Sequence, residues 1–228
     1  MLLPVVQGHL AVINAITLDI TSNAVEQNIL TLATAAGYDS STDDTAIIVN
    51  IASGVTVSGS TTHALRTGAL NADSDLTINI SGSVDGYTGA NGGLVAQAGS
   101  AGGDALFFET LTGGTGIYTV NVLSGGSLRS GGGGGGGGGQ RGSRYQYADK
   151  GGCTGNIFYG SYGSQGAAGG PGQAGSNGGS GSFGGGLIGC EITNPGAGGA
   201  GGAAGFAARF SGRSVTVNNS GTVAGSTA

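Results

Sequence analysis

Residues Gly131 to Gly139 are nine consecutive glycines, and no other feature limits the possible folds of this chain so tightly. The run has no side chain to bury, and glycine loses more backbone freedom on ordering than any other residue. It is therefore either a flexible linker or a segment that packs by its backbone alone. The surroundings argue against a linker. Glycine recurs at every third position through Gly163, Gly166, Gly169, Gly172, Gly175, Gly178, Gly181 and Gly184, and the register returns at Gly196, Gly199, Gly202 and Gly205. A linker has no reason to keep register. A polyproline-II-type helix has three residues per turn and rises roughly 3.1 Å per residue, so every third residue lies on one face. A row of glycines lets a second backbone approach to lateral N–H···O=C distance, which these helices need when buried because they have no internal hydrogen bonds. A helix flanked on all sides carries no side chains. Gly131–Gly139 is expected to be that helix, about three turns and roughly 28 Å long, at the centre of a polyglycine-II bundle.

Ordering these nine residues costs on the order of 9–18 kcal/mol of backbone entropy. Nine lateral hydrogen bonds return ~5–13 kcal/mol, and Cα–H···O contacts a few more. The balance is near zero, so such a lattice needs many helices and anchored ends. An internal repeat supplies the anchors. The segment Ile48–Gly59 is echoed at Thr77–Gly86, Thr119–Gly131 and Thr216–Gly225. Each copy is a β-branched alternating strand, an Asn, a Ser-Gly turn and a short second strand, and stacked copies form rungs. One copy runs straight into the nine glycines and another closes the chain, so the glycine region is held at both ends.

Before the first copy lies a strand-like segment, Ala15–Ile20. Asn23 with Glu26 reads as a capping box. Val25, Ile29, Leu32, Ala33 and Ala36 follow at helical spacing and Gly37 suits a C-cap, so the spacing predicts one amphipathic helix over Ala24–Ala36. The fold class is mainly β and irregular: a small β-rung N-terminal part with one amphipathic helix, then a glycine-rich polyglycine-II helix bundle. The expected units are 1–45, an attachment segment; 46–124, a β-rung domain; 125–205, the glycine lobe; and 206–228, a closing rung.

Charge is unevenly spread. Residues 1–128 carry a formal −9 and residues 129–228 a formal +4, so the glycine-rich part suits an acidic partner but lacks the dense Lys/Arg clusters of a nucleic-acid binder. No apolar run reaches the ~18 residues of a membrane helix, and the opening residues lack the basic start of a secretory signal. Asp39, Asp43 and Asp44 fit no EF-hand spacing and read as a solvated turn, as do Asp73 and Asp75. Cys153 and Cys190 permit one disulfide or two free thiols; they are grouped with Gly131, Gly135 and Gly139 as structural residues.

Two insertions interrupt the glycine region, Arg141–Tyr162 and Ser182–Pro195. They hold Arg141, Arg144, Tyr145, Tyr147, Phe158, Tyr159, Tyr162, Phe183, Leu187 and Ile188. A polyglycine bundle has little interior room for rings, so the insertions are expected at its ends. Tyr with Ser, Gly and Asn is also the composition of adaptable binding loops; the competing reading is a mini-core that caps the bundle.

The Thr-Val-Asn-x-x-Ser-Gly rungs, the glycine run, the period-three glycines and the aromatic insertions together resemble the receptor-recognising adhesins at the tips of T-even-type phage tail fibres. The resemblance implies a C-terminal sandwich of polyglycine-II helices, distal loops that contact a host outer-membrane protein or lipopolysaccharide, and an N-terminal part that attaches to a tail or fibre protein of the virion. It makes the ten insertion residues named above the candidate receptor contacts. Residues 1–45 depart from the family's usual attachment segment.

No catalytic chemistry is expected. GxGxxG matches arise here from composition alone, the only lysine, Lys150, ends no P-loop, and His9 and His63 give no triad by spacing. No enzyme, metal or cofactor is therefore predicted. A collagen-like trimer would need uninterrupted Gly-X-Y and more than three prolines. An ice-binding polyglycine-II protein remains the alternative, with a structural virion protein that touches no receptor beside it.

Overall fold

The computed structural model describes residues 15–41, 45–93, 95–109, 113–149, 152–184, 191–212 and 214–228. Its anchor is a coil of parallel strands with three sides of five strands each. One side is Ala15–Ile20, Ala46–Ile51, Leu76–Ile80, Tyr118–Val122 and Val215–Asn219; the second is Ala24–Val25, Thr56–Ser58, Ser83–Asp85, Ser127–Arg129 and Thr222–Ala224. The third is Gln27–Asn28, His63–Arg66, Asp104–Phe108, Phe206–Phe210 and Ser226–Thr227. Each turn of the coil takes one strand from each side, giving five rungs stacked in chain order.

The repeat sets the register. Ile48, Thr77, Thr119 and Thr216 are successive partners across the first side, so like positions of every copy stack on each other. Alternation then sends one set inward: Val49, Ile78 and Val120 on the first side, and Val57, Val84 and Leu128 on the second, are fully buried. Each such side chain contributes ~1.5–3 kcal/mol. On the outer surface Asn50 donates to Asp19, Asn79 to Asn50, Asn121 to Asn79 and Asn218 to Asn121 at 2.8–2.9 Å, a ladder in which each amide satisfies the next.

The helix differs from the sequence expectation. It spans only Ile29–Ala35, with Asn28 as its N-cap. Residues 24–28 are needed as the corner strands of the first rung, and both supposed capping residues turn to the next rung instead. Asn23 Oδ1 accepts from Thr56 N at 2.9 Å. Glu26, in the left-handed region at φ 50°, takes the N–H groups of Ser60, Thr61 and Thr62 at 2.6–3.2 Å. Gly37, at φ +98°, terminates the helix as a left-handed C′ residue. Asp43 and Asp44 lie outside the described residues, and Asp39 closes a turn on Ser41. Asp73 and Asp75 pin the following loop through Thr115 N and Ile117 N.

Two excursions leave the coil between its second and third sides. One, residues 86–103, departs after Ser83–Asp85; the other, residues 130–205, departs after Ser127–Arg129. Gly131–Gly139 is wholly buried at the centre of the glycine lobe they form. All nine of its carbonyls accept backbone N–H groups, from Gly205, Gly89, Gly169, Gly202, Gly92, Gly166, Gly199, Ala96 and Gly163 in that order, at 2.7–3.0 Å. The partners on any one neighbouring segment are three residues apart, except that Ala96 follows Gly92 by four. Residues 86–103, grouped above with the rungs, thus run beside the glycines. Their own spacing, Gly86, Gly89 and Gly92 and then Gly99 and Gly102, carries the same signal.

Two predictions follow from this packing. A Cβ at Gly135 would lie 2.0 Å from Gly166 O, so Gly135→Ala must push the neighbouring backbones apart and should lower the melting temperature by many degrees. An unchanged melting temperature would mean the run is not packed as described. The second concerns acid. Hydrogen bonds from the Thr61 hydroxyl and N–H, and then from Ser60, hold the Glu26 carboxyl at about 2, below its ordinary 4.5. A depressed folded value means the stabilisation is complete above the ordinary value and is lost as pH falls from about 4.5 towards about 2. Glu26→Gln should therefore flatten the melting-temperature profile in that window while leaving its shape at neutral pH unchanged.

Candidate functional site

The far end of the glycine lobe, away from the rungs, is where side chains reappear. Strand Ser143–Asp149 pairs antiparallel with Gly152–Tyr159 on one edge and Glu191–Thr193 on the other. This small sheet forms because the sequence there turns from glycine to Tyr, Ile, Phe and Thr, residues that suit a pleated surface. The lattice continues to its base: Gly142 N donates to Ser182 O and Gly160 N to Gly142 O, so the sheet is rooted in the glycine segments.

At this end the Arg141 guanidinium carbon sits 4.2 Å from the centroid of the Tyr159 ring and 5.2 Å from that of Tyr162. Both rings are more than half exposed, and Ile157 and Phe158 beside them are also exposed. Arg141, Ser143, Ile157, Tyr159 and Tyr162 line a cavity of about 270 Å³, floored by the Ser143 and Thr193 hydroxyls in a 2.9 Å hydrogen bond. A planar cation fixed on two aromatic faces, at ~0.5–1 kcal/mol for an exposed pair, is pre-organised for a planar acceptor and costs little side-chain entropy on binding.

The sequence-derived candidates separate here. Arg141, Phe158, Tyr159 and Tyr162 are gathered on one exposed surface. Phe183 is only half-exposed, and a Cβ on Gly142 would meet its ring at 2.9 Å and the Pro195 ring at 2.8 Å. Phe183 thus lies beside Gly142 and Pro195 at the root of the sheet, apart from the Arg141 cluster. Arg144, Tyr145 and Tyr147 lie on the central strand, with Arg144 opposite Phe158 and Tyr145 opposite Ile157. Cys153 lies on the adjoining strand. Leu187, Ile188 and Cys190 fall outside the described residues. Ile157, Ser143 and Thr193 were not anticipated. Ile157 was signalled by its place beside Phe158 and Tyr159, whereas the two hydroxyls carry no sequence mark.

The opposite end holds the main charge contacts. Asp85 and Arg129, at the roots of the two excursions, form a bidentate pair at 2.7–2.8 Å. Asp104 and the returning chain close the lobe: Asp104 accepts from Phe206 N at 2.8 Å, and Arg209 Nε lies 2.8 Å from it. Burial pushes the Asp104 carboxyl up, but His63, Arg209 and Phe206 N outweigh this and hold it below its ordinary value.

Residues 15–228 match the model of a family described as phage tail fibre adhesin Gp38. The chain belongs to that family. The adhesin also shares its fold with a chain in the crystal structure of the gp37-gp38 adhesin tip complex of the bacteriophage S16 long tail fibre. The TM-score is 0.54 at 22% identity, covering 93% of this chain and 82% of that one. No curated protein sequence matches it. Among the described residues no helix is long and apolar enough to cross a membrane.

Proposed function

We propose that this adhesin attaches a phage to its host by pressing the end of a polyglycine-II bundle against an outer-membrane protein or lipopolysaccharide. The observation that carries this reading is the exposed Arg141–Tyr159–Tyr162 cluster at the end of the lobe opposite the rungs. Tyr and Arg are the residue types that most often dominate binding energy. The flanks of the bundle offer mostly glycine backbone and small side chains. The period-three lateral bonding supports the polyglycine-II reading, since a three-residue turn with no internal hydrogen bonds must pair in this way. The units proposed on this basis are a rung coil of residues 15–85, 104–129 and 206–228, and a receptor-binding lobe of residues 86–103 and 130–205.

Replacing Arg141 and Tyr159 together by Ala should weaken adsorption of the phage to host cells by well over tenfold, since ~1.4 kcal/mol is already a factor of ten. The melting temperature should stay near that of the parent, because no lattice hydrogen bond uses either side chain. Unchanged adsorption would place the contact elsewhere.

The N-terminal part is proposed to mount the chain on a tail-fibre protein, as the S16 complex pairs gp38 with gp37. Residues 15–35 cannot be the detachable piece, because Leu18, Ile20, Ile29 and Ala33 are buried in the common core. A chain starting at Ala15 should keep its circular dichroism and melting temperature yet fail to enter particles. Particles that carry it would move the mounting surface to another rung.

A further inference from the structure

The glycine lattice is short of one helix, and the gap opens at the receptor-facing end. Because every third residue shares a face, Gly131–Gly139 presents three rows. The row Gly131, Gly134, Gly137 donates to Gly103, Ser100 and Gln97, and accepts from Gly205, Gly202 and Gly199. The row Gly133, Gly136, Gly139 donates to Gln173, Ser176 and Gly179, and accepts from Gly169, Gly166 and Gly163. The third row, Gly132, Gly135, Gly138, accepts from Gly89, Gly92 and Ala96.

The surrounding segments form an open ring. Segment 86–92 bonds to 97–103 (Ser100 N to Ala90 O), 97–103 to 196–205 (Gly102 N to Ala203 O), 196–205 to 173–181 (Gly178 N to Gly199 O), and 173–181 to 163–169 (Ser176 N to Ala167 O). In the first two rows the N–H partner stands one place round this ring from the C=O partner, in the same sense. The same step puts the N–H groups of the third row at a sixth place, between 163–169 and 86–92.

No helix stands there among the described residues. Two side-chain amides span the middle: Asn91 Oδ1 accepts from Gly135 N at 2.7 Å, and Gln165 Nε2 donates to Gly92 O at 2.5 Å. The N–H groups of Gly132 and Gly138, both buried, have no partner among the described residues. At the distal end the gap is a cavity of about 270 Å³ lined by Gly93, Val95, Gly138, Tyr162, Gly163 and Gln165. Its rim is strained: Val95 and Ala96 hold φ of 71° and 56°, a conformation that L residues rarely adopt and that tends to mark functional sites.

We propose that this cavity binds an extended peptide segment of the receptor, which enters as the sixth neighbour and gives a carbonyl oxygen to the Gly138 N–H. Charge complementarity selects the occupant. Among the described residues the lining offers an unpaired donor and no carboxylate, with the Arg141 cation 5.2 Å from the Tyr162 ring centroid, so the ligand must bring acceptors. Gln165, its nitrogen committed to Gly92 O, keeps its amide oxygen for the incoming N–H. Glycine at 138 and 163 admits only a backbone with small side chains on that face, while Tyr162 and Val95 cover its outer side. This inference rests on the distal end being the receptor-contacting end.

The test is amide exchange and chemical-shift titration of the full chain with acetyl-hexaglycine amide. In the free chain the Gly138 amide should exchange severalfold faster than that of Gly137, whose N–H is bonded to Gln97 O. At millimolar peptide the Gly138 resonance should shift and its exchange should slow. Val95→Trp, which fills the cavity, should abolish the shift, and Gln165→Ala should weaken it. Equal exchange of Gly137 and Gly138 in the free chain, or no shift with peptide, would overturn the proposal. So would a Gly138 shift given by lipopolysaccharide core oligosaccharide and not by peptide. Phage adsorption separates the two readings. Val95→Trp particles that adsorb normally while the Arg141/Tyr159 double variant fails would sink the cavity proposal alone. If neither variant affects adsorption, the distal contact fails, and with it the receptor role of the cavity.

Discussion

The rest of the molecule depends on lateral backbone hydrogen bonding around Gly131–Gly139. A buried carbonyl left without a donor costs ~1–3 kcal/mol, and this segment buries nine with no side chain to help. Each must meet an N–H from another segment, and each of those segments must come close enough that a Cβ on the central glycines would fall 1.6–2.1 Å from a carbonyl oxygen. That requirement dictates glycine at the centre, one glycine in three around it, and no tolerance for a slip in register.

Register is something a run of glycines cannot set for itself, since all its residues are alike. It is supplied by the rungs. Between successive rungs the ladder of N–H···O=C bonds continues past the strand ends, from Gly59 N to Asp85 O, from Gly86 N to Arg129 O and from Ser130 N to Ala224 O. The 86–92 segment therefore enters the lobe already in step with Gly131–Gly139. The Asp85–Arg129 pair fixes the two roots against each other, and Asp104 ties the returning end down through Phe206 N and Arg209. The rungs in turn take their phase from the inward Val, Ile and Leu positions, where a one-residue slip would turn every apolar side chain outward.

The features of this design that rest on periodicity were legible in the sequence. Period two gave the rung strands and their phase, and period three gave the outer glycine segments. The Asn of each copy was visible too, though its role in a continuous amide ladder appears only once the copies are stacked. What misled was a local signal outweighed by a distant one. Asn23 and Glu26 have the spacing of a capping box, but their side chains are worth more across the gap to the next rung, where Thr56 N and three consecutive N–H groups need acceptors. The place of residues 86–103 was missed for the opposite reason: Gly86, Gly89 and Gly92 keep period three for too short a stretch to stand out. At the distal end aromatic composition marked Tyr159 and Tyr162 as candidates, and the structure sets Arg141 of the same insertion against both rings. Composition could not tell those rings from Phe183, because whether a ring lies on the sheet or under it depends on where Gly142 leaves room.

The lattice also gives a physical reason for proposing recognition at the distal end. Within it, no position on Gly131–Gly139 can change without a backbone moving, so the centre carries no information about a ligand. Beyond Gly139 the constraint ends abruptly: Gln140 is exposed, Arg141 rests on two open rings, and the three-stranded sheet is tied to the lattice at a few backbone bonds such as Gly142 N to Ser182 O. Side chains there can be exchanged without disturbing the hydrogen bonds that hold the lobe together. The rigidity of the glycine core thus frees its end to vary, and it holds whatever stands there in one orientation, which lowers the entropy lost on contact.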